Sequence, residues 1–508
     1  MKTDGVMRKT QENSLTTKIN NNYIKNLPNG VIGFSYDRST LKGGILHIGV
    51  GNFHRAHQAW YLHKLFEKGI DREWAIIGSG VLPFDEIQRS KLINQDYLTT
   101  LVELDPSGIS AEVVGSMIDY IPVEKNNRSL VTKMADPNIR IVSLTITEGG
   151  YYLDPILMRL DINNPEIKND IKYPESPQTV FGAIIKALSI RKEKGFGPFT
   201  GLSCDNISGN GTILRNNLLS MAVLIDKNLA KWIEEKCSFP NSMVDCIVPK
   251  TGPVELNLVK SFGIVDEVPV THEKFRQWVV EDNFCAGRPK LEKVGVIFTK
   301  NVGTYETMKL RILNGGHQII ANVGEILSIK TISECMTYPE IKNLFLKITS
   351  NEISPNIKGV PNMTPNQYIK LIKDRFSNNK ILDTTRRVAF DGSSRHPVFV
   401  IPSIQDAIRA DSPISGLALV EASWARMCYG VREDGSHIIP NDPNWIELKK
   451  FSKKSRKDPL CWIYQKQYYG NLGNNTKFSD LFSFWLNMIW KDGMKKTIKY
   501  YLSKKKYN

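Results

Sequence analysis

A chain of 508 residues is too long for one hydrophobic core, so two or three domains are expected. Its 41% hydrophobic and 23% charged residues are those of a soluble globular protein, and no run of about 18 apolar residues offers a membrane span. The charge balance is 67 basic against 52 acidic, or +15. Much of the excess lies near the C-terminus, at Lys449, Lys450, Lys453, Lys454, Arg456, Lys457, Lys495, Lys496, Lys499 and Lys504 to Lys506.

A basic tail can bind nucleic acid or an anionic membrane surface. No nucleic-acid module motif accompanies it, and Lys and Asn are plentiful throughout, so neither partner is expected. Seven cysteines stand singly, without C-x-x-C or paired spacing, which points to reduced thiols and a cytoplasmic protein. The same scatter, with eight histidines, argues against a zinc site, and no metal is expected. MKTDGVMRKTQENS at the start has no apolar core, so no secretory signal is expected.

Residues 1–43 are polar and are expected to drape over the first domain as an extension. GILHIGVG (44–51) then reads as a short apolar strand running into G-x-G, and residues 52–65 read as a helix. Strand, glycine turn and helix form the phosphate-cradling unit of a dinucleotide fold. Gly49 and Gly51 would make the turn, and Asn52, Phe53 and His54 would open the helix over the cofactor. His54 stands where the third glycine of G-x-G-x-x-G is usual.

WAIIGSGV (74–81) follows at the spacing of a βαβ unit. Asp85 either takes the ribose hydroxyls or caps a helix starting at Glu86. No Arg or Lys lies between Gly78 and Asp85 to meet a 2′-phosphate, which favours NAD over NADP. Tyr97–Leu104 and Ser116–Ile121 are candidate strands that could pair with each other. The β-branched run Ile139–Thr147 ends at Glu148-Gly149-Gly150. Ligands of open α/β sheets bind beyond the carboxyl ends of strands, so Thr147 and Glu148 are expected near the nicotinamide.

Phe181–Lys194 reads as a helix and Phe199–Cys204 as a strand. That strand empties into the polar, glycine-rich loop Asp205–Gly211, where Asn206 is a candidate amide donor. Ser242–Asp245 reads as a strand end that leaves its acid exposed. From about residue 300 the texture turns helical, with runs at 319–329, 341–349, 365–375, 404–410, 416–429 and 481–502. The polar segment Asp391–Pro397 is expected to interrupt them. The fold class is therefore α/β: a Rossmann-type domain over 44–298, followed by a mostly α-helical domain over 299–508.

The second half opens on YETMKLRILNGGH (305–317). On one helix, at about 100° per residue, Glu306, His317 and Asn314 lie about 60°, 80° and 140° from Lys309. An amine among apolar neighbours, an amide and an imidazole would share one side, a layout for a base with hydrogen-bond donors around a hydroxyl or carbonyl. A solvated polar face is the plain alternative. Tyr305-x-x-x-Lys309 also matches the Y-x-x-x-K of short-chain dehydrogenases, but T-G-x-x-x-G-x-G is absent and the pair lies far from the glycine turn. A zinc-dependent medium-chain enzyme lacks its ligands here.

The chain resembles the polyol-specific long-chain dehydrogenases, and among them the mannitol-oxidising members. The matching segments are HIGVGNFHRAHQA (47–59), SLTITEGGY (143–151), SCDNISGNG (203–211), FPNSMVD (239–245), KLRILNGGH (309–317), DGSS (391–394) and GLALVEASWAR (416–426), in family order over nearly the whole chain. The resemblance implies a metal-free, NAD-dependent oxidation of a polyol to a ketose, D-mannitol to D-fructose, with Lys309 as base. It implies that Asn206 and Asn314 stabilise the alkoxide, that His317 hydrogen-bonds a substrate hydroxyl, and that Glu306 helps proton exchange with solvent. Val244, Asp245 and Arg387 would line the polyol site. Arg395 stands where the family often has lysine, and Phe390 where a polar residue is common. A monomer is implied.

Two other functions are consistent with parts of the sequence. One is a hexuronate reductase of the same family, with Arg387 and Arg395 pairing a carboxylate. The other is a non-catalytic protein that binds polyanions through its tail, which the intact Lys, Asn and His set argues against.

Overall fold

The structure is a computed structural model and describes residues 17–154 and 159–504. The first part of the extension and the tail lysines Lys505 and Lys506 lie outside the described residues. The chain divides into two compact units, residues 1–298 and 299–508.

The first unit is organised on a five-stranded sheet: β1 Gly43–Ile48, β2 Ala75–Ser79, β3 Met117–Tyr120, β4 Ile141–Leu144 and β5 Thr200–Ser203. The spatial order is 3-2-1-4-5 and every pair is parallel. The Ile, Val and Leu runs of β1, β2 and β4 are buried throughout their centres, as a sheet covered on both faces requires. Strand order reverses between β1 and β4, and that switch point opens a crevice at the carboxyl ends.

Thr99–Asp105 and Met117–Tyr120 do not pair with each other. Thr99–Asp105 folds back on Gly108–Val114 as an antiparallel hairpin, with Asp105 opposite Gly108. A two-residue turn offers a strand its nearest partner, so the local hairpin forms and β3 is left to extend β2. The hairpin belongs to a four-stranded sheet with Val270–Glu273 and, from the extension, Val31–Ile32. Thr17–Lys18 pairs parallel with Ile264–Val265, so the described part of the extension is stitched into this unit at two places.

The second unit is helical. Gly315–Ile326 and Ser415–Met427 are buried along their full lengths and pack on one another. Three expectations change. The 481–502 run is two helices, Thr476–Asp492 and Met494–Ser503, because Gly493 takes φ 82° and ψ 162°, which glycine adopts without a Cβ penalty. Asp391 takes a left-handed conformation, and Gly392–Phe399 is itself a helix rather than an interruption. Tyr305–His317 is not one α-helix: Val302–Met308 is α-helical, Lys309–Asn314 is π-helical and Gly315–Ile326 is α-helical again.

No helix among the described residues is long and apolar enough to cross a membrane. Among the described residues, no three or more His, Cys, Asp or Glu side chains are grouped to hold a metal ion.

Candidate active site

The glycine turn sits at the end of β1. Gly49 has φ 94°, and a Cβ there would lie 2.1 Å from the carbonyl oxygen of Thr145. Only glycine lets β1 and the segment after β4 approach this closely. At Gly51 the nearest atom to a Cβ would be the Gly49 oxygen at 4.0 Å, so the space above the turn is open. That opening, beside the first-turn amides of Asn52–Ala56, suits a dinucleotide phosphate.

The turn is braced from behind. Arg55, buried in the core, donates from Nε to the Gly51 carbonyl at 3.3 Å and from Nη2 to Asn52 Oδ1 at 2.7 Å, and Nη1 reaches the Val268 carbonyl. Asn52 Nδ2 donates to the Pro249 carbonyl and Thr251 Oγ1. The His54 ring is buried and stacks on His47 with centroids 3.4 Å apart. Its imidazole therefore points into the core, not toward the opening. Burial depresses both rings, His47 to about 3 and His54 well below its ordinary value, so the stack is neutral. His47 bonds Ser143 Oγ through Nδ1 and Thr145 Oγ1 through Nε2, tying β1 to β4. Phe53 stacks on His57.

Asp85 is the first residue of helix Asp85–Ile93 and does not cap it. Its Oδ2 accepts from the amides of Val81 at 2.9 Å and Leu82 at 3.0 Å and closes the loop after β2. Thr147 and Glu148 are exposed beyond the end of β4. Thr147 has φ 63° and ψ 169°, a strained conformation for a β-branched residue.

What holds Thr147 there is Asp205, a residue the sequence did not single out. The carboxylate accepts from the amides of Ile146 and Thr147 and from the Tyr151 hydroxyl. Burial raises its pKa to about 6, with these three donors opposing the rise. Asn206, immediately after it, is exposed. Val244 and Asp245 end a strand paired antiparallel with Gln277–Glu281, and both are buried. The expectation that Asp245 is exposed is therefore corrected: its strand is interior to the unit.

In the second unit, Lys309 is 7% exposed and opens the π-helical segment that Asn314 closes. Gly315 N donates to the Leu310 carbonyl, five residues back. Each such ring holds one residue more than in an α-helix, so residues five apart come closer to the same side. The π segment thus draws Asn314 toward Lys309, nearer than a uniform helix predicts. Asn314 Oδ1 is buried with no hydrogen-bond partner among the described residues. Glu306 is half-buried one turn earlier. Tyr305 is buried and its hydroxyl pKa is raised by desolvation.

His317 is buried and stacks on Phe376 at 4.3 Å. Desolvation is the main cause that depresses its pKa to about 4, with Arg387, Arg375 and Arg395 adding to it and Asp383 opposing. Its ring is neutral, and Nε2 has no hydrogen-bond partner among the described residues. Arg387 donates to Asp383 Oδ1 from Nε and from Nη2, each at 2.7 Å. Arg395 Nη1 donates to the Val388 carbonyl at 2.7 Å. Phe390 is about half exposed. Arg55, Asp205 and Asp383 escaped sequence reading because each acts on backbone or on another side chain.

A 3-2-1-4-5 parallel sheet with an open glycine turn at its switch point defines a Rossmann-type dinucleotide-binding domain, here joined to a helical one. The family follows from comparison with known proteins. The mannitol dehydrogenase Rossmann domain matches residues 43–293 and the mannitol dehydrogenase C-terminal domain residues 301–490, so the chain belongs to the mannitol dehydrogenase family. Mannitol 2-dehydrogenase of Cereibacter sphaeroides is 47% identical over 469 residues, covering 92% of this chain and 98% of that protein. The enzyme of the same name from Aspergillus terreus is 37% identical over 476 residues, covering 92% and 95%. Pseudomonas fluorescens mannitol 2-dehydrogenase, solved as a ternary complex with NAD and D-mannitol, superposes with TM-score 0.88 at 37% identity over 96% of this chain and 100% of that one. A substrate-free D-sorbitol dehydrogenase gives TM-score 0.86 at 32% identity, covering 95% and 100%.

Proposed function

We propose that the protein is an NAD-dependent polyol dehydrogenase that interconverts D-mannitol and D-fructose, with Lys309 as general base and no metal. The observation that carries this reading is the buried Lys309 at the head of a π-helical segment ending in Asn314, in a chain of the mannitol dehydrogenase family. NAD, when bound, supplies the hydride acceptor, and the open turn at Gly49–Gly51 fits its phosphates.

Lys309 takes the proton of the reacting hydroxyl. Asn314 and Asn206 donate hydrogen bonds to the oxygen as negative charge develops, the stabilisation that a Lewis acid gives elsewhere. His317, neutral, holds a second hydroxyl. Glu306 relays the proton toward solvent. Val244, Asp245, Arg387 and Arg395 line the polyol, while Asp85, Thr147 and Glu148 lie along the cofactor.

A hexuronate reductase would need a cation ready for a carboxylate. Arg387 already answers Asp383 through two nitrogens, which favours the polyol reading. A panel of mannitol, fructose, fructuronate and tagaturonate with NAD(H) and NADP(H) tests it. Mannitol oxidation with NAD is expected to dominate. Faster reduction of fructuronate than of fructose would overturn the substrate, and a preference for NADP would overturn the cofactor.

A further inference from the structure

His317 and Asp383 present two buried polar atoms to each other without touching. Asp383 Oδ2 and His317 Nε2 are 3.9 Å apart, and neither has a hydrogen-bond partner among the described residues. The two residues are 6% and 9% exposed. A buried carboxylate oxygen and a buried imidazole nitrogen left in this state cost free energy, and folded proteins keep few of them without a use. At 3.9 Å they are too far apart to bond directly. One oxygen atom about 2.8 Å from each would satisfy both.

The surroundings fix the pair. Phe376 stacks on the imidazole and holds its plane. Arg387 grips Asp383 through Oδ1 only, which turns Oδ2 toward His317. Arg375 and Arg395 also act on the ring, and with burial they keep it neutral.

We infer that Asp383 and His317 together form a hydroxyl-reading pair in which one substrate hydroxyl bridges them. With the proton of the neutral imidazole on Nε2, His317 donates to the substrate oxygen, and the substrate O–H donates to Asp383 Oδ2. Asp383 thereby touches substrate and sets specificity. A hydroxyl can both accept and donate. A carboxylate can only accept and would meet the charge of Asp383, so the pair selects polyols and ketoses over the uronates of the same carbon length. Sites built to hydrogen-bond a hydroxyl discriminate strongly because a wrong group leaves their own polar atoms unpaired.

This inference rests on the polyol reading, and the experiment separates the two. Wild type, Asp383→Asn, His317→Gln and the double variant are assayed with mannitol and NAD, and with fructose and fructuronate and NADH. NADH binding and thermal unfolding report the fold. Asp383→Asn is expected to lower kcat/KM for mannitol about 10- to 100-fold, mostly through KM, with NADH affinity unchanged. The fructuronate-to-fructose ratio of kcat/KM is expected to rise at least about tenfold as the opposing charge goes. The double variant should cost little more than the worse single one, because one oxygen serves both residues.

Wild-type turnover of mannitol with an unchanged ratio in Asp383→Asn, or strictly additive losses, would mean that the gap holds only a water and would overturn the pair. A wild type inactive on every polyol would remove the polyol reading, and the pair's role with it.

Discussion

The carboxylate of Asp205 holds Thr147 by its backbone, accepting from the Ile146 amide at 3.1 Å and the Thr147 amide at 2.8 Å. Without that grip a β-branched residue would not stay at φ 63° and ψ 169°, a conformation that costs about 1–3 kcal/mol. Thr147→Gly is expected to relieve the strain and raise stability by about 1 kcal/mol, a shift of about 2 °C in Tm for a unit of this size. Asp205→Ala strands the amides of Ile146 and Thr147, leaves the Tyr151 hydroxyl to Ser203 Oγ, and should destabilise by about 2–4 kcal/mol. It should also lower kcat/KM at least about tenfold by loosening the loop beyond β4. Calorimetry and steady-state kinetics on the two variants check both signs.

The two glycines of the turn should separate folding from cofactor binding. At Gly49 a Cβ would collide with the Thr145 carbonyl, and the positive φ adds strain, so Gly49→Ala is expected to cost about 3 kcal/mol or more. At Gly51 a Cβ meets no atom closer than 4.0 Å, so Gly51→Ala should fold normally. Its methyl group fills the opening, and NADH affinity should fall about 10- to 100-fold. Thermal unfolding paired with an NADH fluorescence titration reads both.

His47 makes the protein sensitive to acid. Burial holds its imidazole at about 3, below the 6.5 of an exposed histidine. The unfolded chain therefore binds the extra proton between those values, and stability falls as pH drops from about 6.5 toward 3. The loss is about 1.4 kcal/mol per pH unit for this ring. Asp205 has the opposite sign: raised to about 6, it costs stability above that pH and returns it below. Urea unfolding at pH 6 and pH 5 isolates the histidine term. The gap between wild type and His47→Gln should narrow by about 1.4 kcal/mol over that unit, and a constant gap would refute the assignment.

The sheet could be read from the sequence because its strands are apolar and its turns carry glycine. The Ile-rich runs at 45–48 and 75–79 have few other uses, and Gly49 reports a close approach by its identity alone. Asp205 could not be read, since an acid in a polar loop looks solvated. It is buried only because β4 and β5 run side by side with Leu144 opposite Ser203, which sets Asp205 beside Ile146 and Thr147. The hairpin Thr99–Val114 was missed because its second strand is part polar, and Ser116–Ile121 took its place as the expected partner. At Tyr305–His317 the residue types carried the chemistry but not the geometry. Nothing in Lys-Leu-Arg-Ile-Leu-Asn announces five-residue backbone rings, so the angle between Lys309 and Asn314 was set too wide. Gly493 does not stand out in the sequence because the pattern on either side of it is helical in phase.

In the proposed mechanism Lys309 is the base. Lys309→Ala, assayed with mannitol and NAD and titrated with NADH, tests it most directly. The expected result is a fall in kcat of at least about 10²–10⁴-fold with NADH affinity within about twofold of wild type, since general-base catalysis contributes on that scale. A kcat near the wild-type value, with the variant folded and binding NADH, would contradict the assignment of Lys309 and the mechanism built on it.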